Sequence, residues 1–74
     1  MDEQFRNYLE EQIDLRRPCS IRFRDVEGAV AEIRAHILRL EQVAHRWMLE
    51  TDAGIHIGVD QLIEVNGRPA AHFS

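Results

Sequence analysis

The chain has 74 residues, 45% of them hydrophobic and 30% charged, which suits one small folded core and excludes both a second core and a disordered tail. Thirteen acidic residues against nine basic ones leave a formal charge of −4. That balance argues against general nucleic-acid binding, which rests on excess positive charge, and fits a basic protein partner better. One cysteine, Cys19, excludes an internal disulfide and a multi-thiolate zinc site.

No apolar run approaches the roughly 20 residues needed to cross a bilayer. The start, Met1-Asp2-Glu3-Gln4, is acidic and polar, unlike a secretory signal, so the expected location is the cytoplasm and no membrane partner is expected. All nine basic residues are arginine, a side chain suited to two-point carboxylate contacts.

Residues 2–15 read as an amphipathic helix. At helical spacing Phe5, Tyr8, Leu9 and Ile13 share one side, and Glu3, Asn7, Glu10 and Asp14 the other. Asp2 and Glu3 at the start and Arg16 and Arg17 at the end suit the helix dipole, and Pro18 blocks continuation. Cys19 to Arg24 alternates strictly, with Cys19, Ile21 and Phe23 facing inward, as a half-buried strand does. Asp25 to Gly28 is a turn.

Residues 29–51 carry two patterns. Val30, Ile33, Ile37, Leu40, Ala44 and Trp47 recur three and four apart, as in one long helix. Alternatively Ile33, Ala35 and Ile37 alternate with Glu32, Arg34 and His36, Leu40 to Ala44 connects, and Val43, His45, Trp47, Leu49 and Thr51 alternate with Ala44, Arg46, Met48 and Glu50 in a second strand. Periodicity by itself slightly favours the helix. Asp52-Ala53-Gly54 is a hairpin signal, however, and a hairpin needs a strand before it. Ile55 to Val59 is expected as strand, Asp60 to Leu62 as a tight helical turn capped by Asp60, and Ile63 to Val65 as a last strand closed by Asn66-Gly67. Arg68 to Ser74 is expected to fray. The expected core is Phe23, Trp47, Leu49, Ile55, Ile57, Val59, Leu62 and Val65.

A helix, a strand ending in Arg24-Asp25, paired strands and then Ile55 to Gly67 form a pattern that resembles the Rof family of small Rho-binding antiterminators. The likeness runs through Leu9-Glu10, Cys19 to Asp25, Trp47 to Gly54 and Ile55 to Gly67, about residues 5–68. It implies a mainly β fold with an N-terminal α-helix, an Sm-like or SH3-like five-stranded small barrel. The domain would be single over 1–74, with the helix at about 2–15, the barrel at about 18–67 and the tail at 68–74. The alternative is an α+β fold with a long helix at 29–50. The resemblance further implies a transcription regulator that binds the terminator Rho, a ring-shaped RNA helicase, and blocks RNA loading. Such proteins commonly carry an acidic residue where this chain has Asn7, and a Cys-Asp pair at their start, whereas Cys19 lies in the first strand here.

The expected partner-binding residues are therefore Glu3, Asn7, Glu10, Glu11 and Asp14; the four acids are carboxylates on a rigid helix that imitate phosphates toward a partner's basic groups. The bland counterpart is a solvated helix face. A second reading takes Arg22, Arg24, Arg34 and Arg46, all outward on strands, as an RNA site of an Sm-like or self-assembling module; the same arginines can instead pair across strands with Glu32 and Glu50. His36, His45, His56 and His72 lack metal-ligand spacing, so no metal or cofactor is expected; His45 and His56 would be cross-strand neighbours if the hairpin centres on Ala53. Cys19 reads as a buried strand cysteine, not a nucleophile, and no enzyme motif is present. The expected assembly is a monomer or weak homo-oligomer.

Overall fold

A computed structural model describes residues 1–70 of the chain. Its elements are helix α1 (Glu3–Leu15), strands β1 (Pro18–Arg24), β2 (Val30–Val43), β3 (Arg46–Thr51) and β4 (His56–Gly58), a 3-10 turn (Val59–Gln61), and strands β5 (Leu62–Val65) and β6 (Arg68–Pro69). The six strands form one antiparallel sheet in the order β4-β3-β2-β1-β5-β6. The fold is mainly β with one N-terminal helix. The helix is not long and apolar enough to cross a membrane.

Each reversal has a local cause. Asp25 Oδ1 accepts the backbone N–H groups of Glu27 and Ala29 at 2.9 and 3.0 Å, and this side-chain turn joins β1 to β2. Ala44 and His45 both have positive φ, 50° and 68°, so β2 and β3 meet in a two-residue turn. Asn66 and Gly67, at φ 54° and 78°, make the matching turn into β6, with the residue pair that tolerates this geometry best.

Two bulges shape the sheet. Ile37 pairs with Thr51 but Arg39 with Glu50, which leaves Leu38 as an extra residue in β2. Before the bulge Ala35 and Ile37 are buried; beyond it the inward parity switches and Leu40 turns in opposite Leu49. The helix-like spacing of Ile37 and Leu40 is this parity switch, and that of Ala44 and Trp47 comes from the turn between them. A long helix over 29–50 is excluded: the segment is β2, a turn and most of β3. The second bulge lies in β5, where Phe23 pairs with Leu62 and Arg22 with Glu64, so Ile63 is the extra residue.

The sheet curls strongly. Gly58 and Leu62 end and begin strands four places apart, roughly 19 Å in a flat sheet at about 4.8 Å per strand. Four residue steps span at most about 14 Å. The sheet nevertheless stays open, since no ladder joins β4 to β6. Inside the curl lie Cys19, Ile21, Leu49, Ile57, Leu62 and Val65, each at most 1% exposed, and α1 covers them with Phe5 and Leu9.

Several expectations need correction. There are six strands, not five, because Arg68–Pro69 pairs with β5 and Ala70 is buried, its N–H on the carbonyl of Ile63 at 2.9 Å. The stretch expected to fray is ordered at least that far; His72 and the rest of the tail lie outside the described residues. Leu40 to Val43 is strand, not connection. Gly58, not Asp60, caps the 3-10 turn, its N–H donating to Gln61 Oε1 at 2.9 Å. Trp47 and Ile55 are only partly buried at the edge of the core.

Candidate docking face of the helix

Local chemistry sets the ends of α1. Asp2 Oδ2 accepts the Phe5 N–H at 3.0 Å, satisfying a donor that the first turn leaves without a partner. Arg16 adopts φ 53° and returns its N–H to Ile13 at 3.2 Å. Arg16 and Arg17 thus lie past the last turn, which itself holds no basic residue.

The apolar side of α1 seats on the sheet through Phe5, Leu9 and Gln12, with Tyr8 and Ile13 partly buried beside them. Polar and cation–π contacts help fix its position. The Tyr8 hydroxyl accepts from Asn66 Nδ2 at 3.0 Å, while Asn66 Oδ1 accepts the Ser20 N–H at 2.9 Å. The Arg68 guanidinium stacks 4.8 Å from the Tyr8 ring centroid, and the Arg6 guanidinium 4.7 Å from that of Trp47. The helix therefore packs on the sheet and does not swing away from it. None of Arg6, Tyr8, Asn66 and Arg68 was legible as a site residue, because 58 positions separate Asn66 from Tyr8.

The outer side carries Glu3, Asn7, Glu10, Glu11 and Asp14, all exposed, so α1 brings the five expected partner-binding residues to one surface. Glu10 lies 3.0 Å from Arg6 Nε and is partly neutralised by it. Glu3, Glu11 and Asp14 form no ion pair among the described residues. Arg6 therefore links the two faces of the helix: it lies on the indole and holds Glu10.

Of the four arginines of the RNA reading, Arg22, Arg24 and Arg34 share the outer face of the β1–β2 ladder, and Arg46 starts β3. Arg22 sits between Glu32 at 3.3 Å and Glu64 at 3.7 Å, opposite both in register. Arg34, diagonal to it, reaches the Ser20 hydroxyl at 3.5 Å, and Arg24 donates to the Gly28 carbonyl at 3.1 Å. Arg46, at the start of β3, pairs with Asp60 at 2.9 Å. Two of the four are thus offset by carboxylates. Glu50 pairs with Arg39 at 3.0 Å, not with one of these four.

The histidines are scattered. His36 Nδ1 lies 2.9 Å from Asp52 Oδ2. His45 occupies the β2–β3 turn, while His56 pairs with Glu50, so His45 and His56 are not cross-strand neighbours. Among the described residues no group of three or more His, Cys, Asp or Glu side chains could hold a metal ion. Cys19 is fully buried, and burial pushes its thiol pKa up, against smaller opposing effects of Asn66 and Arg34.

Comparison with protein-family models, with curated proteins and with solved structures finds no match to this chain.

Proposed function

We propose that the chain is a non-enzymatic, Rof-like regulator of transcription. In this reading the curled sheet is an Sm-like small barrel, and α1 is an acidic docking module. Its outer face covers a basic, RNA-loading surface on Rho and keeps RNA off it, in the cytoplasm. The observation that carries the reading is the pairing of a rigidly seated helix with carboxylates, Glu3, Glu11 and Asp14, that form no ion pair among the described residues. A helix held by Phe5, Leu9 and the Tyr8–Asn66 contact presents its charges at fixed spacing, so little ordering is required on association. The RNA-binding alternative has less support, because Arg22 and Arg46 are already paired. Ring assembly has less as well, since the edge strands have three and two residues and one contains Pro69.

The test is capture of purified Rho by the immobilised chain at low and moderate salt, together with a termination assay. The expected result is salt-sensitive association and reduced termination, weakened in a Glu3→Gln, Glu11→Gln, Asp14→Asn variant and strengthened by Asn7→Asp. No salt-sensitive association, together with unchanged termination, would overturn the proposal.

A further inference from the structure

A cleft of about 630 Å³ opens between the last turn of α1, the bulged stretch of β2 and the β3–β4 turn. Ile13, Ile37 and Leu38 line it with apolar surface; Asp14, Arg16, His36 and Asp52 supply its polar groups. We propose that this cleft seats an arginine side chain of the protein partner, its guanidinium between Asp14 and Asp52 and its methylene stem on the three apolar residues. The proposal rests on the reading of α1 as a docking face and adds to it a specific anchor point.

Two carboxylates, Asp14 and Asp52, stand in the lining against the single guanidinium of Arg16, with the His36 imidazole engaged by Asp52, so the small excess of negative charge favours a cationic occupant. Asp52 is also preorganised. Its Oδ1 accepts the His36 N–H at 2.9 Å, its Oδ2 faces His36 Nδ1 at 2.9 Å, and its own N–H donates to the His36 carbonyl at 3.0 Å. Each carboxylate oxygen keeps a second lone pair, and the side chain remains 44% exposed, so a two-point guanidinium contact is open to it. The same hydrogen bonds from His36 hold the carboxyl below its usual range, which keeps it ionised.

The apolar lining selects for a stem behind the charge. The bulge leaves Leu38 48% exposed beside these charged groups, a surface that the methylenes of a long basic side chain cover well. Asp14 is also the last carboxylate of the stripe that begins at Glu3, so the cleft continues the acidic face of α1 onto the sheet.

The test titrates the whole isotope-labelled chain with acetyl-arginine amide and follows the amide spectrum without Rho present. Saturable shifts confined to Ile13, Asp14, His36, Leu38 and Asp52 are expected, and acetyl-norleucine amide, which keeps a stem without the charge, produces none. Asp14→Asn weakens the response about two- to fivefold, the range of an exposed charge pair. Leu38→Lys, which places a cation in the mouth, abolishes it, and Glu27→Gln in the β1–β2 turn leaves it unchanged. Shifts spread evenly over Glu3, Glu10 and Glu11 as well, equal effects of Asp14→Asn and Glu27→Gln, or an equal response to the norleucine amide would each overturn the proposal. A negative titration beside a positive Rho capture removes the cleft and leaves the docking face standing; the reverse result removes Rho and leaves the cleft.

Discussion

Leu9→Ala tests whether α1 is integral to the fold. Leu9 is fully buried between the helix and the sheet. Truncation removes the equivalent of three carbons, roughly 2.4 kcal/mol at about 0.8 kcal/mol per buried methylene. The residual cavity adds to this, so a loss of about 3 kcal/mol is expected. The whole fold, at roughly 0.05–0.15 kcal/mol per residue, is worth about 4–11 kcal/mol, so the variant still folds with a much lower urea midpoint. Two probes report on different parts of the molecule: the far-UV helical band on α1, and fluorescence of the single tryptophan, Trp47, on β3 beneath Arg6. Their transitions should remain coincident, since helix and sheet share one core. A loss below about 1 kcal/mol, or a helical band that melts before the fluorescence changes, would refute this account and undermine a rigid docking face.

Asn66→Gly keeps the positive φ of the turn but deletes the bridge to Tyr8 and Ser20; it should cost about 1–2 kcal/mol and speed hydrogen exchange at the Ser20 amide. Gly58→Ala introduces a methyl group against the ends of the Arg46, Asp60 and Gln61 side chains, which can swing aside, so it should cost no more than about 1 kcal/mol in urea unfolding, the range of the exposed Arg46–Asp60 pair it disturbs. Asp52 has a folded pKa below its ordinary 3.8, so its stabilising contribution is present above that value and is lost as pH falls through the lower folded one. Stability measured against pH should therefore decline in that acidic window, and Asp52→Asn should remove this part of the slope. Cys19, buried and with a raised thiol pKa, should resist alkylation at mildly alkaline pH in the folded chain and react rapidly in urea; rapid modification of the native protein would contradict its placement.

Much of the architecture was legible in local sequence. The apolar stripe of α1, the stop at Pro18, the inward set Cys19, Ile21 and Phe23, and the turns at Asp25 and Asn66 all follow from period and turn chemistry. These signals act within a few residues, so a linear reading captures them. The bulge at Leu38 was not legible, because one extra residue depends on what the partner strand β3 offers opposite it. That shift disguised β2 as a helix. The same limit hid β6, whose two residues qualify as strand only because β5 lies beside them.

The site divides in the same way. Helical spacing by itself placed Glu3, Asn7, Glu10 and Asp14 on one face, since an isolated helix already has that geometry. Arg6 reaches Glu10 one turn along the same helix, a local pair, whereas Arg22 finds Glu32 and Glu64 on other strands and Arg46 finds Asp60 on the 3-10 turn only through tertiary structure. Asp14 and Asp52 line one cleft only because the sheet curls under the end of α1. Sequence determines the order and polarity of the elements through short-range sterics and burial. Folding alone decides which distant charges meet, because a Coulomb interaction depends on separation in space and not along the chain.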